Sequence, residues 1–80
     1  MKLILAVGKR TENLLNERNM TQYQLAKSGG FNRATLWHVI NPDITAVKTV
    51  KLDTVYQIAD TLGVSLKEFF DDPLFDDISD

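Results

Sequence analysis

The 80-residue sequence contains no cysteine and only one histidine. Without cysteine the chain forms neither disulfides nor thiolate-ligated metal sites, and a single histidine cannot build a His-rich zinc site. We therefore expect no bound metal and no cofactor. The lack of cysteine fits the reducing cytoplasm, where we expect the protein to act. No segment approaches the roughly 20 consecutive apolar residues that a membrane span needs.

The N-terminal stretch MKLILAVGKR combines a lysine with a short apolar run, which is one feature of a secretory signal. The apolar run from Leu3 to Val7 is, however, shorter than the roughly 7–15 residues of a signal core. We interpret this stretch as the start of a helix or as a short N-terminal extension.

Charge is distributed unevenly along the chain, although the net charge is only −2. Residues 1–70 contain nine basic and six acidic residues, which gives +3, whereas residues 71–80 contain five aspartates and no base, which gives −5. The sequence therefore predicts a mildly basic domain over residues 1–70 and an acidic C-terminal tail over residues 71–80. The acidic total does not exclude phosphate binding by one face of the domain.

Helical patterns dominate, and no alternating run is bounded by a hairpin turn, so we predict an all-α fold. The first helix is expected to begin at about Leu3 or Val7 and to end near Arg18, with Asn19 as the stop. Thr11 interrupts its apolar stripe. The predicted inward-facing residues of this helix are Val7, Leu14 and Leu15.

Two capping boxes mark the starts of further helices. Thr21 to Gln24 has the Thr-x-x-Gln form and opens a short second helix, which Gly29-Gly30 ends. Ser65 to Glu68 has the same form and opens a short last helix through Phe70. Between them, Asn32 is a good N-cap for a third helix, and Pro42 ends it.

A long connection over residues 41–50 leads to a predicted fourth helix over about 52–62, which Gly63 closes. Its apolar stripe consists of Leu52, Val55, Ala59 and Leu62, with Ile58 beside it. The expected architecture is thus a compact domain of five helices.

The second and third helices, joined by a tight glycine turn, form a helix-turn-helix candidate. Ala26 is small enough for the two helices to cross closely, while Leu36 and Val39 anchor the third helix to the core. The opposite side of the third helix is then available for the major groove of DNA, which is wide enough to admit a helix. On a helical wheel this side carries Ala34, Trp37, His38 and Asn41, with Arg33 and Thr35 on its flanks.

The segment TQYQLAKSGGFNRATLWHVIN resembles the helix-turn-helix of the Cro/phage-repressor-like (XRE-type) regulators. VKLDTVYQIADTLGVSLKEFF resembles the two helices that follow it in that family, and with LLNERNM the resemblance covers about residues 7–70. It implies a five-helix domain of the phage-repressor DNA-binding type, with the helix-turn-helix as helices 2 and 3. It also implies binding to double-stranded DNA as a homodimer on a two-fold operator.

The resemblance assigns roles to individual positions. Gln22 matches a residue that bonds a phosphate and braces the recognition helix, and Asn41 matches one that meets the DNA backbone. The guanidinium of Arg33 can donate two hydrogen bonds, to O6 and N7 of a guanine, and a methyl group of Ala34 or Thr35 can contact a thymine methyl. The candidate DNA-binding residues are Gln22, Asn32, Arg33, Ala34, Thr35, Trp37, His38, Asn41, Lys48 and Lys51.

Structural alternatives exist for several of these residues. His38 can be an inert, half-buried histidine rather than a donor to a base or phosphate. Trp37 can pack against the long connection or a neighbouring helix, instead of stacking on sugar-phosphate or a partner subunit. Lys48 and Lys51 either neutralise phosphates or simply lie in solvent. For the bases of the first helix, Lys9, Arg10 and Arg18, salt bridges are the better interpretation.

The tail is rich in both apolar and acidic residues. Phe69 is expected to close the core, and the later apolar side chains, Leu74, Phe75 and Ile78, either fold back or form part of a dimer surface. Its aspartates are either solvated, or keep the tail away from DNA, or bind a basic partner.

We therefore interpret the chain as a sequence-specific transcriptional regulator from a prokaryote or phage, and not as an enzyme. Its serines and its histidine form no nucleophile motif, and the paired aspartates of the tail lack the spacing of a calcium loop. The alternatives are an antitoxin-like or other protein-interaction module on the same fold, and a self-association domain that uses the aromatic tail.

Overall fold

Helices account for all the regular secondary structure in the computed structural model, which describes residues 1–45 and 49–80. Within these residues no strand is present. The elements are α1 (Leu3–Glu17), α2 (Gln22–Gly29), α3 (Arg33–Ile40), α4 (Pro42–Thr45), α5 (Leu52–Thr61), α6 (Leu66–Phe70) and a 3-10 helix (Pro73–Phe75). The predicted all-α class is confirmed.

The helix α4 lies in the connection that the sequence predicts as a long loop, so the described part of the chain has six α-helices rather than five. Pro42 follows the C-cap of α3, as predicted, but it is also the first residue of α4. Its fixed φ and its missing N–H suit the first turn of a helix as well as they end the previous one.

One hydrophobic core joins the helices. α1 packs against α3, α4 and the 3-10 helix, and α2 packs against α3 and α5. Leu25, Ile58 and Phe69 are fully enclosed, which confirms that Phe69 closes the core. The remaining members of the core cluster are Val7, Leu14, Leu15, Ala26, Leu36, Val39, Ile40, Val55, Ala59 and Leu62.

The contact between α1 and α3 is unusually close at Gly8. A Cβ atom at this buried position would lie 2.5 Å from the carbonyl oxygen of Val39 and 3.4 Å from Cα of Ile40. Only glycine permits this approach, so Gly8 determines how deeply α3 sits against α1.

Two positions differ from the predicted apolar stripes. Thr11 is not a gap, because it is completely buried and its hydroxyl donates to the carbonyl of Val7 at 2.9 Å. That local hydrogen bond satisfies the hydroxyl inside the core. Leu52, predicted to face inward, is 65% exposed at the start of α5, where the stripe that contacts the core begins with Val55.

The predicted helix ends are confirmed in detail. The Thr21–Gln24 and Ser65–Glu68 capping boxes both form with reciprocal hydrogen bonds. Gly30 adopts a left-handed conformation, with a φ of 70°, at the turn between α2 and α3.

Hydrogen bonds from the backbone amide and the hydroxyl of Ser65 hold the pKa of Glu68 below its usual value of 4.5.

Arg10 attaches the acidic tail to α1. Its guanidinium donates to the carbonyls of Glu68 and Phe69 and pairs with Asp72 at 3.0 Å. Phe75 lies with its ring centroid 4.9 Å from that of Phe70, in an edge-to-face arrangement. The beginning of the tail therefore folds back onto the domain, which is one of the two arrangements expected for its apolar side chains.

Candidate nucleic-acid interface

The outward face of α3 is exposed while the opposite face is anchored in the core. Leu36, Val39 and Ile40 are buried. The exposed residues at and along this helix are Asn32, Arg33, Ala34, Thr35 and Trp37, while His38 and Asn41 are half-buried. The helical wheel predicts this division, because residues three and four apart share one face of a helix.

The N-terminus of α3 is held by its own cap. Asn32 accepts a hydrogen bond from the amide of Ala34 through its side-chain oxygen, at 2.8 Å. This confirms Asn32 as the N-cap and orients the first turn, which carries Arg33, Ala34 and Thr35. In any further contact, the side-chain amide nitrogen of Asn32 is the atom suited to donate to an acceptor on a ligand.

One flank of α3 borders a cleft against α2, which we name the α2–α3 cleft. It has a volume of about 300 Å³. Its lining residues are Gln22, Tyr23, Ala26, Arg33, Ala34, Leu36 and Trp37. Four residues proposed from the sequence as DNA contacts, Gln22, Arg33, Ala34 and Trp37, are thus gathered in one cleft.

Tyr23 is not among the candidate site residues that the sequence indicates. Its side chain is 56% exposed, and the guanidinium carbon of Arg33 lies 5.7 Å from the centroid of its ring. The capping box contains the signal that could have found it, because that box places Tyr23 in the exposed first turn of α2, next to Gln22.

The other flank of α3 borders a second cleft of about 500 Å³, which we name the α3–α5 cleft. Its lining residues are Ile4, Thr35, His38, Val39, Thr49, Val50, Lys51, Asp53 and Thr54. Three candidates from the sequence, Thr35, His38 and Lys51, are gathered here. Thr49, Thr54 and Asp53 are not among the candidates, and Asp53 brings a negative charge to the same cleft.

His38 combines partial burial with an unsatisfied polar atom. Its Nδ1 atom is buried and has no hydrogen-bond partner in the described part of the chain. The half-buried character matches the structural alternative for this residue, yet the ring also lines the open α3–α5 cleft.

Trp37 and Asn41 are linked at the C-terminal end of α3. Trp37 is 47% exposed and lines the α2–α3 cleft, so it lies beside α2 without being enclosed. The carbonyl of Trp37 accepts hydrogen bonds from the backbone amide and the side-chain amide of Asn41, at 2.9 and 3.2 Å. Asn41 therefore caps this end of the helix.

The positive charges differ in their engagement with the rest of the protein. The bases of α1 and its C-cap form ion pairs as expected: Lys9 with Glu12, Arg10 with Asp72, and the C-cap residue Arg18 with Glu17. Lys51 is the exposed N-cap of α5, beside the α3–α5 cleft. Lys48, the remaining candidate, lies outside the described residues.

Comparison with known proteins identifies the class. The Cro/C1-type HTH DNA-binding domain family matches residues 12–73, so the chain belongs to this family and is a DNA-binding regulator. The match includes all of α2 and α3, and it confirms the resemblance to phage-repressor-like regulators.

One solved structure is similar over nearly the whole chain. It is described as the crystal structure of the prophage Lp1 protein 11, with a TM-score of 0.81 and 25% sequence identity. The alignment covers 98% of this chain and 100% of that chain. No curated protein matches the chain.

Two further properties follow from the described residues. Among residues 1–45 and 49–80, no cluster of three or more histidine, aspartate or glutamate side chains is arranged to hold a metal ion. None of the helices found there is both long and apolar enough to cross a membrane.

Proposed function

We propose that the protein is a sequence-specific transcriptional repressor of the XRE type that inserts α3 into the major groove of its operator. The observation that carries this proposal is the pairing of an anchored and an exposed face on one short helix. Leu36 and Val39 are buried, whereas Arg33, Ala34 and Thr35 project from the first turn. In helix-turn-helix proteins the N-terminal residues of the second helix contact the base edges.

The two clefts support an assignment of different residues to the two DNA backbones that flank the major groove. A recognition helix in the major groove has a sugar-phosphate backbone on either side of it. We assign Gln22 and Trp37 to the backbone beside the α2–α3 cleft, and Lys51 to the backbone beside the α3–α5 cleft. The same assignment gives His38 a base or phosphate contact, while Asn32, Asn41 and Lys48 contribute backbone contacts.

The short length of α3 favours a homodimer on a two-fold operator. Eight residues span about 12 Å, because an α-helix rises about 1.5 Å per residue. Such a helix covers only about four base pairs at about 3.4 Å each. A genome offers about a million or more competing sites, so one such half-site is not selective, and two half-sites about one helical turn apart are needed.

Repression requires only that the bound protein occupy a promoter, which is why we favour it over activation. The proposal implies that the protein works in the cytoplasm, where a prokaryotic or phage operator lies, and that it needs no catalytic activity. A partner protein could regulate it, as in the antitoxin-like alternative.

Selection of bound sites from a random duplex pool tests the central claim. We expect one enriched sequence with two inverted half-sites about 10 base pairs apart. Enrichment of a single unpaired half-site would contradict the dimer, and the absence of any enriched sequence would contradict sequence-specific binding and favour the protein-interaction alternative.

Salt dependence of binding to the selected site tests the phosphate contacts. Lys51→Ala should make the slope of log K against log salt shallower by about 0.9 for each phosphate that the variant no longer neutralises. Lys67→Ala is the matched control, because Lys67 is an exposed base on α6 outside both clefts. An equal effect of the two substitutions would remove Lys51 from the interface.

Arg33→Ala tests the base contact. We expect binding to the selected site to weaken by about 1–3 kcal/mol for each half-site, with relaxed preference at one base pair in each of them. Equal weakening on all sequences would make Arg33 a phosphate contact instead.

A further inference from the structure

The aromatic ring of Tyr23 and the guanidinium of Arg33 meet at the mouth of the α2–α3 cleft. The guanidinium carbon lies over the ring at 5.7 Å from its centroid, within the roughly 6 Å range of a cation–π contact. Both side chains are exposed, and they come from different helices. The contact therefore links the first turn of α2 to the first turn of the recognition helix.

The backbone beneath this contact is well fixed. The capping box of Thr21 and Gln24 holds the turn that carries Tyr23, and the Asn32 cap holds the turn that carries Arg33. Ala26 lies between them, only 4% exposed, and lets α2 and α3 approach closely. Because both Cα positions are set by the fold, the ring limits the conformations open to the arginine side chain before any ligand arrives.

An arginine that reads a base must give up rotamer freedom, which weakens binding. A guanidinium that lies over a ring has already given up part of that freedom. It carries five N–H donors, and a cation–π contact does not use them as hydrogen bonds to an acceptor, so they stay available for the O6 and N7 acceptors of guanine. Contact with the ring is therefore compatible with base recognition.

We infer that Tyr23 is a positioning residue that holds Arg33 in its DNA-reading conformation and so sharpens the preference for the base that Arg33 contacts. This inference rests on the proposed function of α3. It assigns to Tyr23 no direct contact with DNA, and it requires the aromatic ring but not the hydroxyl group.

The free protein provides the first test. The ring current of Tyr23 should displace the NMR resonances of the Arg33 side chain. Tyr23→Leu should return them towards the values of a solvated arginine, and Tyr23→Phe should leave them displaced. If Tyr23→Leu leaves these resonances unchanged, the two side chains are not in contact in solution and the inference is wrong.

Binding to the site selected from random duplexes provides the second test. Tyr23→Leu should weaken binding about two- to five-fold for each half-site, the range for one exposed cation–π contact, and should lower discrimination at the base pair that Arg33 reads in each half-site. In an Arg33→Ala background the same substitution should have no further effect. Tyr23→Phe should bind as the unsubstituted protein does.

Tyr56→Leu is the matched control, because Tyr56 is similarly exposed, at 53%, but lies on α5 and does not line the α2–α3 cleft. It should leave affinity and discrimination unchanged. Thermal unfolding of each variant checks that the fold is intact, which we expect because neither tyrosine is in the core.

Two results would overturn the role of Tyr23 alone. Equal weakening by Tyr23→Phe and Tyr23→Leu would mean that the hydroxyl contacts DNA directly. Equal weakening by Tyr23→Leu with and without Arg33 would mean that the two side chains act independently. By contrast, if the unsubstituted protein shows no sequence preference, the proposed function fails and the positioning role fails with it.

Discussion

Replacement of Gly8 by alanine should destabilise the protein, even though alanine is the better helix former. In the interior of a helix, glycine to alanine ordinarily gains about 1 kcal/mol. Here the added Cβ would lie 2.5 Å from the carbonyl oxygen of Val39, a backbone atom that cannot rotate away. To reach the roughly 3.3 Å of a close carbon–oxygen contact, α1 and α3 must separate by about 0.8 Å.

The magnitude follows from these two opposing effects. A gap of about 0.5–1 Å forfeits a quarter to a half of the dispersion energy of the contacts that it opens. Overpacking of a core typically costs about 1–3 kcal/mol, and a clash with backbone belongs in the upper part of that range. After subtraction of the gain in helix propensity, we expect Gly8→Ala to lower the free energy of unfolding by about 1–2 kcal/mol. In a domain of this size that lowers Tm by about 5–15 °C.

Thermal and urea unfolding followed by circular dichroism measure this effect. Asn16→Ala is the control, since Asn16 is an exposed residue of the same helix and its replacement should leave stability unchanged or slightly raised. If Gly8→Ala raises Tm as the control does, then α1 and α3 do not approach as closely as described. Because α3 rests on this contact, we also expect Gly8→Ala to weaken binding to the selected operator.

Three further expectations concern the tail, the last capping box and the α3–α5 cleft. Arg10→Ala should lower the free energy of unfolding by about 2–3 kcal/mol, because it removes a charged donor from two carbonyls and removes the ion-pair partner of Asp72; an unchanged urea midpoint would show that the tail is not attached at this residue. The pKa of Glu68 is lowered in the folded protein, so its stabilising effect is present above the usual value of 4.5 and is lost as pH falls through the folded pKa. Glu68→Gln should therefore lose less stability on acidification, and identical acid unfolding profiles would contradict this. Asp53→Asn should tighten DNA binding about two- to five-fold for each half-site by removing a negative charge from the cleft beside Lys51; weaker binding would instead indicate that Asp53 accepts a hydrogen bond from the DNA.

The helix boundaries were the most predictable part of the fold because they depend on local chemistry. In the Thr-x-x-Gln and Ser-x-x-Glu patterns, each side chain bonds a backbone amide three residues away. These hydrogen bonds therefore depend only on the first turn of the helix and not on the rest of the fold. The left-handed conformation of Gly30 likewise follows from a local steric rule.

Features that depend on distant parts of the chain were not predictable. The close contact of α3 with Gly8 joins residues more than 30 positions apart in the sequence, and so do the three hydrogen bonds of Arg10. No local sequence pattern predicts such pairs. The inward-facing position predicted for Leu52 is wrong, because its spacing fits the apolar stripe of α5 but its place at the helix start puts its side chain beyond the core. The burial of Thr11 was not predictable from its polar side chain, because it depends on the hydrogen bond that its hydroxyl donates to the carbonyl of Val7.

The same distinction applies to the candidate site. The exposed face of α3 follows from helical periodicity, so Arg33, Ala34 and Thr35 could be placed from the sequence. Their grouping into two clefts, and the contact of Arg33 with Tyr23, depend on how α2 and α5 flank α3, which only the packed structure reveals.

The brevity of α2 and α3 has a practical consequence for engineering. Each has eight residues, whereas isolated helices shorter than about 12–15 residues are marginal in water. A synthetic peptide of residues 21–41 should consequently be largely unstructured, and the same sequence grafted into another scaffold would not keep its helical geometry. A graft that binds DNA would have to include the surfaces of α1 and α5 that support α2 and α3.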